Sequence, residues 1–447
     1  MEALALSPFP RREAPGLPGD GGRYQLRDSW AQLRDMHAFL QKRRQRFGPS
    51  FAHGYFGFVV FSVGDPDLVR VLHLDAQRDF SSRWGWDFTI GELFAGGLML
   101  RDFGDHRQHR GLMQSAFRPS ALEGYLETVN LSFERLILSW KDQRRFRFYP
   151  VFKSAGLRLA LELILGVPGS DVLATRLGRA FTEAVQASIA VLRRPIPPFR
   201  YWRGMRGRRH LLAWMQSEIQ ARRDAPGSDI FGRLCAAEVE GAVLSDEEIA
   251  EHLVFLLMAA HDTTASAVTS CVWAAATHPE WQDRAREEIQ SLGDPCLTMT
   301  GFRETPVLDA ILDEALRMKP PAPYMVRRTL RPTQLGPFSL PENLTVSPVS
   351  LITHFLPEWW TDPERFDPAR FGTERAEHKQ HPGLYYPFGG GAHQCLGLHL
   401  ARLEAKAFLY QLWRQYRVTL ASSRPPRFRP IPIPHPADGL PIRLAPA

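Results

Sequence analysis

The sequence is poor in cysteine, with four cysteines among 447 residues. Cys235, Cys271, Cys296 and Cys395 lie far apart, and no two of them have the short spacing of a disulfide framework or a zinc site. This scarcity argues against a disulfide-stabilised secreted domain and favours a reducing compartment. The fold must therefore rest on its hydrophobic core, for which a 44% hydrophobic content is ample.

Long apolar runs are missing from the N-terminus. Residues 1–20 contain only the short apolar patch 3–6. That patch is too short for a membrane helix or the apolar region of a secretion signal. We therefore expect a protein without a transmembrane anchor, located in the cytoplasm.

Low-complexity linkers and nucleic-acid-binding motifs are missing as well. The net charge of +7 suggests an acidic partner. No recognised motif accompanies the arginines, so we expect no nucleic-acid partner. The length allows two or three domains, but without a linker a single large domain is equally possible. Residues 1–16 have the composition of a disordered tail.

Apolar residues recur at helical spacing over most of the chain, and β-type patterns are few and short. The spacing predicts a hairpin over 50–63 and a long loop over 83–99. Ser120 and Glu123, and likewise Ser245 and Glu248, have the spacing of a capping box, and Asp65 before Pro66 has the pattern of an N-cap. The pattern predicts helices over 28–46, 65–74, 105–117, 151–167, 171–192, 199–223, 246–277, 303–318 and 398–417. The expected fold class is mainly α with small β-sheets.

Cys395 stands behind three glycines and at the start of the helix predicted over 398–417. A thiolate there meets the positive end of the helix dipole and free backbone N–H groups. Both effects lower the pKa of a thiol and keep the sulfur an anionic metal ligand. The glycines allow the backbone to approach a large flat ligand closely.

The pattern Phe388-x-x-Gly-x-His393-x-Cys395-x-Gly397 resembles the haem-binding loop of the cytochrome P450 family. The resemblance implies that Cys395 is the axial ligand of the iron in haem b, and that Phe388 and Gly397 belong to the cofactor site. The family usually has arginine at the position of His393, and histidine can also reach a haem propionate. A buried structural cysteine after a glycine-rich turn remains the alternative.

The segment 259–264, Ala-Ala-His-Asp-Thr-Thr, lies in the middle of the helix predicted over 246–277. A carboxylate is costly to bury without partners, and threonine can bond back along a helix and bend it. The segment resembles the oxygen-activation motif of the family, with Ala260 in place of glycine. The resemblance makes Asp262 the proton-relay acid and Thr263 the hydroxyl that holds dioxygen. The alternative is a polar kink without chemistry.

Further cationic residues match the family's propionate ligands. His106 and Arg110 are four residues apart, share a helix face and can clamp carboxylates. They resemble the His-x-x-x-Arg of the family. Arg327 lies 14 residues before Pro341, the interval expected for another propionate-binding arginine, and Arg328 is the competing choice.

Glu314-x-x-Arg317 precedes the cysteine loop as the structural Glu-Arg pair of the family does. The third member of that group comes from a Pro-x-Arg-Phe segment. The chain offers Arg365 and Arg370, and the spacing favours Arg370. These residues are expected to hold the fold around the haem and to do no chemistry.

Taken together, the motifs imply a single cytochrome P450 domain over 17–447, with haem between the long central helix and the cysteine loop. The implied activity is a haem-thiolate monooxygenase that inserts one oxygen atom of O2 into a lipophilic terpenoid, retinoid, steroid or fatty-acid-like molecule. The amino-acid sequences of segments 259–264 and 353–358 are most similar to those of the branch of retinoic acid hydroxylases and sterol demethylases. The residues expected to line the substrate pocket are Trp84, Trp86, Phe88, Met258, Ala259, Tyr324, Met325 and Ile431.

The chain has no flavin or NADPH fingerprint, so electrons are expected from a ferredoxin or flavodoxin with its NAD(P)H reductase. The basic residues proposed to dock that partner are Arg107, Arg118, Arg402, Lys406 and Arg414. The protein is expected to be a monomer. Two alternatives are a peroxide-using or isomerising haem-thiolate enzyme, and a non-catalytic haem- or lipid-binding protein.

Overall fold

The computed structural model describes residues 6–7, 9–21, 25–190 and 192–446. The chain divides into two compact units. Unit 1 comprises residues 1–88, 310–395 and 426–437, and unit 2 comprises residues 89–309, 396–425 and 438–447. The single domain over 17–447 stays a prediction.

Helices dominate both units, as the sequence predicts. In the described residues they are α1 (Gln25–Phe47), α2 (Pro66–Leu74), α3 (Ser82–Ile90), α4 (Phe103–Gln114), α5 (Pro119–Leu138), α6 (Phe148–Leu165), α7 (Val172–Ser188), α8 (Arg200–Asp224), α9 (Ile230–Cys235), α10 (Asp246–Thr277), α11 (Pro279–Leu292), α12 (Met299–Arg303), α13 (Pro306–Met318), α14 (Ser350–Thr353) and α15 (Leu398–Gln415). Among the described residues, no helix is both long and apolar enough to span a bilayer.

The strands are short. They are β1 (Ser50–Tyr55), β2 (Phe58–Val63), β3 (Phe80–Ser81), β4 (Arg145–Arg147), β5 (Glu238–Val239), β6 (Ala242–Val243), β7 (Arg327–Thr329), β8 (Thr333–Leu335), β9 (Phe338–Leu340), β10 (Thr345–Pro348), β11 (Tyr416–Leu420), β12 (Phe428–Arg429), β13 (His435–Pro436) and β14 (Pro441–Pro446). The prediction of a mainly helical protein with small sheets is confirmed.

Unit 1 is built on a five-stranded sheet in the order β1-β2-β10-β7-β3. The predicted hairpin over 50–63 is confirmed, with Ser50 opposite Val63. Alternate side chains of β2, including Val59, Phe61 and Val63, enter a buried apolar cluster with α2. Because α2 packs on this cluster, its C-terminal end is fixed on one side of the sheet.

Unit 2 is built around α10, which has 32 residues and is about 48 Å long. The predicted capping box is present, because Ser245 and Glu248 bond each other's backbone N–H groups. Helices α6, α8 and α15 pack along α10. Most of its residues are therefore buried.

Three secondary-structure predictions are wrong. Residues 82–90 form α3 within the predicted loop, and the Oγ of Ser81 accepts a bond from the N–H of Trp84. Ser120 does not cap its helix, because α5 begins earlier, with Pro119 in its first turn. The helix predicted over 303–318 is broken, because Pro306 starts α13 after the separate α12.

Residues 9–16 pack against the rest of unit 1, which differs from the expected disordered tail. The N–H of Arg11 donates to the carbonyl of Asn343 at 3.2 Å, and the N–H of Val59 donates to the carbonyl of Arg11 at 2.9 Å. Ala14 is fully buried. Residues 1–5 and 8, also part of that predicted tail, lie outside the described residues.

Candidate functional site

The residues singled out from the sequence fall into two sets, and each set is described within its own unit. Unit 1 contains Trp84, Trp86, Phe88, Glu314, Arg317, Tyr324, Met325, Arg327, Arg370, Phe388, His393, Cys395 and Ile431. Unit 2 contains His106, Arg110, Met258, Ala259, Asp262, Thr263 and Gly397.

The cysteine loop of unit 1 is closed by its own backbone, because the N–H of Cys395 donates to the carbonyl of Phe388 at 2.8 Å. Gly389 and Gly391 have positive φ angles of +74° and +63°. A Cβ on Gly391 would lie 1.8 Å from the carbonyl oxygen of His73, at the end of α2. Glycine is therefore required for the loop to pack there. Cys395 is exposed, whereas Phe388 and His393 are partly buried.

Strand β7 separates the two competing arginines, because successive side chains of a strand point to opposite faces. Arg328 lies over the Trp84 ring and donates to the carbonyl of Ser7. Arg327 acts instead on His73, whose pKa is lowered to about 4 by burial and, to a smaller extent, by Arg327. His73 is the residue against which the cysteine loop packs, so Arg327 is the arginine on the side of that loop.

Tyr324 does not face a ligand space. It is 7% exposed, and its hydroxyl donates to Oε1 of Gln32 at 3.0 Å. Its ring packs on Tyr55 and His53. The prediction that Tyr324 contacts the substrate is therefore corrected to a place in the core of unit 1.

The remaining pocket candidates of unit 1 are partly buried. The Sδ of Met325 would lie 3.5 Å from a Cβ on Gly389, which places Met325 beside the cysteine loop. Phe88 packs edge-on against Phe9 and Phe58. Ile431 lines a surface groove and is discussed below.

Glu314 lies at the centre of a fully buried ion-pair network in unit 1. Arg317 donates to both carboxylate oxygens, from Nε at 2.7 Å and from Nη2 at 2.9 Å. Arg370 donates to Oε1 at 3.1 Å, and the N–H of Asp367 donates to the same oxygen at 2.8 Å. The structure thus brings together the three residues that the sequence grouped, and it selects Arg370 over Arg365.

In unit 2, the middle of α10 contains a partly exposed patch. Met258, Ala259, Ala260 and Thr263 are partly exposed, while residues 252–257 before them are buried. Ala259 and Thr263 are one helical turn apart and share a face. The hydroxyl of Thr263 donates to the carbonyl of Ala259 at 2.6 Å. Its oxygen therefore keeps acceptor capacity for a ligand at this accessible patch.

Asp262 is buried beside that patch, and two cationic side chains approach one of its oxygens. The Nζ of Lys153, on α6, lies 2.7 Å from Oδ1, and Nδ1 of His261 lies 2.9 Å from it. Burial raises the pKa of the Asp262 carboxyl, but His261 and Lys153 outweigh this effect and lower it to about 2. Asp262 is therefore ionised at neutral pH.

His261 is also tied to α6, because its Nε2 lies 3.0 Å from the carbonyl oxygen of Lys153. A carbonyl only accepts, so Nε2 carries the proton. Neither Nδ1 of His261 nor Oδ1 of Asp262 makes a hydrogen bond of good geometry. The two short contacts nonetheless keep the Asp262 carboxyl ionised, with a lowered pKa.

Helix α4 carries the predicted clamp. His106 is buried and Arg110 is partly buried, one turn apart on the same face. The neighbouring His109 fixes the helix, because its Nδ1 lies 2.9 Å from Nε2 of His252 on α10. The clamp residues therefore project from a helix that is anchored to the long helix of unit 2.

Gly397 is the N-cap residue of α15, so the predicted helix begins directly after the cysteine loop. The docking assignment of Lys406 on this helix is wrong, because its side chain is fully buried. Its Nζ donates to the carbonyl of Phe302 at 2.6 Å and to Oδ2 of Asp309 at 2.7 Å. Arg402 bonds the other oxygen of Asp309, whereas Arg107, Arg118 and Arg414 are exposed.

Sequence reasoning missed the partners of Asp262. His261 stands in the quoted motif, and its position next to the acid was the only signal available. Lys153 is 109 residues away in sequence and lies in an apolar helix. Nothing in its local pattern connects it with Asp262, and only the packing of α6 on α10 does so.

The residues present fit a haem group. Unit 1 offers an exposed thiol in a closed loop, with a buried guanidinium, Arg327, on the side of that loop. Unit 2 offers a cationic pair on α4 and an accessible patch in the middle of α10. Among the described residues, no cluster of three or more His, Cys, Asp or Glu side chains could hold a metal ion.

Comparisons with known proteins agree with this geometry. The family model described as Cytochrome P450 matches residues 25–435. Cytochrome P450 136 of Mycobacterium tuberculosis is 40% identical over 85% of this chain and 78% of its own length. Cytochrome P450 120 of Synechocystis is 30% identical over 99% of both chains.

Solved structures give the same result. The structure of retinoic acid-bound cyanobacterial CYP120A1 has a TM-score of 0.85 and 29% identity, and the match covers 94% of this chain and 96% of that one. The P450DA haem domain has the same TM-score at 22% identity, which shows the fold alone. A family match over nearly the whole length, together with the cysteine loop and the acid–alcohol helix, places this chain in the cytochrome P450 family, whose members are haem b monooxygenases.

Proposed function

We propose that this monooxygenase oxidises an apolar molecule of the retinoid class. The observation that carries the proposal is the match over 94% of the chain to a cyanobacterial relative bound to retinoic acid. The character of the accessible residues supports it. Met258 and Ala259 in unit 2, and Met325 in unit 1, are apolar and partly exposed. Such residues suit a ligand made mostly of hydrocarbon.

The family resemblance assigns the cofactor ligands residue by residue. Cys395 would ligate the iron, next to Phe388 and Gly397 of the same loop. Arg327, His393, His106 and Arg110 would bind the propionates. When bound, the haem supplies the reductive activation of dioxygen, and the protein supplies position, charge and protons.

Proton delivery is assigned to the cluster around Asp262. Because this carboxylate is ionised, it does not store the proton itself. Lys153 and His261 hold the carboxylate ionised, so that it can accept a hydrogen bond from a protonated group and orient that group at the patch. The Thr263 hydroxyl, which donates to its own helix, can then accept a hydrogen bond from a protonated group at the patch.

Electrons come from a redox partner, as in the family generally. We propose an acidic ferredoxin or flavodoxin with its NAD(P)H reductase. The exposed arginines Arg107, Arg118 and Arg414 remain candidates for docking it, and their contribution should weaken as ionic strength rises.

The test of substrate class is a ligand titration of the haem-loaded protein. We expect all-trans-retinoic acid or retinol to shift the Soret band by displacing a distal ligand, and to be hydroxylated when NADPH, redox proteins and O2 are added. A sterol and a saturated fatty acid serve as comparison ligands. Turnover of either of these without turnover of any retinoid would contradict the proposal.

The test of the iron ligand is Cys395→Ser. We expect this variant to lose the thiolate signature in the carbon-monoxide difference spectrum, because a hydroxyl does not ligate as a thiolate does. Cys296→Ser is the matched control, since Cys296 lies outside the cysteine loop, and it should keep the signature. An unchanged spectrum of the Cys395→Ser variant would refute the assignment.

A further inference from the structure

A surface groove of about 370 Å³ lies in unit 1 at the hairpin of β12 and β13. Its size is in the range of small-molecule sites. The wall combines two guanidinium groups with apolar side chains and contains no acidic residue. The lining residues are Leu33, Arg427, Arg429, Pro430, Ile431 and Ala437.

The two arginines share one face of the hairpin. Arg429 lies on β12 and Arg427 directly precedes it, where a backbone bond with Ala437 continues the pairing, so the two side chains point the same way. Phe428 between them points to the opposite face, where the Nζ of Lys319 lies 5.3 Å from its ring. Arg427 is opposite Ala437, whose N–H donates to its carbonyl at 2.8 Å. One face of the hairpin thus packs on unit 1, and the other presents both guanidinium groups to the groove.

A kink in α1 fixes the position of Arg427. Asp35 has non-helical backbone angles, and its Oδ1 accepts the bond from the N–H of Ala38 at 3.0 Å. In a regular helix that N–H would bond the carbonyl of Arg34. The released carbonyl of Arg34 instead accepts a bond from Nη2 of Arg427 at 3.2 Å. This bond uses one of five guanidinium N–H donors, so Arg427 keeps donors for a ligand.

Asp35, which is next to Arg34 in sequence, does not neutralise the positive charge of the groove. The Asp35 carboxylate is engaged with the Ala38 amide, and its electrostatic effect falls on Lys319. The positive charges of the exposed Arg427 and Arg429 therefore stand beside apolar side chains of the groove wall and are available to an anion.

An exposed apolar stripe leads to the groove along α1. Leu26 is 87% exposed and Trp30 is 74% exposed, and together with Leu33 they follow the i, i+4, i+7 spacing of one helix face. Large side chains at such exposure suggest a surface that contacts an apolar molecule. The stripe and the two arginines together match a molecule with a hydrocarbon chain and an anionic end.

We propose that this groove binds the carboxylate end of an apolar carboxylic acid, with Arg427 and Arg429 pairing the carboxylate and Leu33 contacting the chain. The inference rests on the proposed function in one respect, because it assigns the substrate acid to the same retinoid-like class. A guanidinium pair suits a carboxylate, since each fork can donate two parallel N–H bonds.

The experiment measures binding to the holoenzyme by isothermal titration calorimetry with four probes. Retinoic acid and dodecanoic acid carry a carboxylate, and retinol and dodecanol have the same chains without it. We expect Arg429→Gln to weaken the binding of both acids about tenfold, and Arg427→Gln/Arg429→Gln to weaken it further. The alcohols should bind both variants as they bind the wild type.

Arg424→Gln is the matched control, because it removes an exposed arginine from the same segment outside the groove wall. Arg429→Gln tests the proposal without disturbing the bond between Arg427 and Arg34. Thermal unfolding of each variant shows whether the hairpin remains folded. Raising the salt concentration should weaken the binding of the acids more than the binding of the alcohols.

Equal loss of acid and alcohol binding, or unchanged acid binding in the double variant, would overturn the inference. A variant that loses sedimentation with phosphatidylserine vesicles but binds the free acids normally would reassign the arginines to a membrane surface, and this also overturns it. The Soret shift tests the proposed function separately. Retinoid turnover that is insensitive to both arginines would leave that function standing and remove only the groove.

Discussion

Two buried carboxylates of this protein, Glu314 in unit 1 and Asp262 in unit 2, are each approached by two cationic side chains, yet they are built differently. Glu314 accepts bonds on both oxygens from Arg317, Arg370 and the backbone, at full burial. Asp262 has both cations, Lys153 and His261, on a single oxygen without good hydrogen-bond geometry.

The difference shows what each cluster can do. A fully satisfied network has one arrangement and holds distant chain segments together, here α13 and the segment around Asp367. The cluster around Asp262 instead keeps a carboxylate ionised next to the accessible patch of α10. We therefore assign a structural role to the first cluster and a proton-handling role to the second.

The largest expected effect is on stability, from Arg370→Met. The change leaves part of the Glu314 charge buried and unpaired, and such losses cost about 3–5 kcal/mol of unfolding free energy. Denaturant unfolding of the holoenzyme measures it. The control is Arg417→Met, which breaks an exposed ion pair with Asp283 and should cost at most about 1 kcal/mol. Equal losses in the two variants would erase the distinction between the clusters.

Asp262→Asn should affect turnover and leave the fold intact. Removing a positioned proton-transfer group typically costs about 10²-fold in rate. The variant should keep its ligand-induced Soret shift, consume NADPH slowly and show a larger solvent deuterium isotope effect. Wild-type turnover in this variant would remove Asp262 from the proton path, and a failure to fold would place it with Glu314 among the structural residues.

The loss of unfolding free energy at acid pH tests whether the network around Glu314 holds the neighbouring His354 in place. His354 bonds Arg317 and Tyr386, and burial lowers its pKa to about 3. The unfolded state therefore binds the proton first, near the ordinary pKa of about 6.5. Stability is fully present above that pH and is lost as the pH falls towards 3.

His354→Gln should remove one proton from this linkage. Below pH 6 the slope of unfolding free energy against pH should fall by about 1.4 kcal/mol per pH unit, because one group no longer titrates. Denaturant titrations between pH 5 and 8 measure the slope. An unchanged slope would mean that His354 is not held neutral by its place in the network.

The smallest expected effect is that of Lys153→Met. Removing the ammonium group withdraws one of the two interactions that lower the pKa of Asp262, so that pKa should rise. His261 still holds the carboxylate, and we expect turnover to fall less than tenfold, with the acidic limb of the rate profile moved to higher pH. Lys141→Met, at an exposed lysine, is the control. An unmoved limb would exclude Lys153 from the cluster's function.

The cysteine loop, the capping of α10 and the hairpin of unit 1 were predictable because each is written in neighbouring residues. Asp65 before Pro66, or Ser245 three residues before Glu248, fixes a helix start through bonds that span one turn. The helix over 82–90 was missed because Gly85 and β-forming aromatic residues obscured its periodicity. Gly85 is needed there, since a Cβ would lie 2.7 Å from the carbonyl oxygen of Val326.

Local sequence could not decide between neighbouring candidate residues. Arg327 and Arg328 are indistinguishable by spacing, and strand alternation in the folded sheet separates them. Lys406 is as basic as its neighbours in sequence, and only the packing of α15 shows that it is buried against Asp309. The partner of Asp262 on α6 and the kink that releases the Arg34 carbonyl depend in the same way on contacts between distant segments.

By itself, the sequence determined the fold class, the family and the chemistry of the cysteine loop and the acid–alcohol helix. Those features depend on short-range spacing, helix capping and the dipole at a helix start. The tertiary structure alone decided which charges are paired, which are buried and which face a groove. Burial and pairing arise when distant segments pack together, and the pKa of a side chain depends on those neighbours.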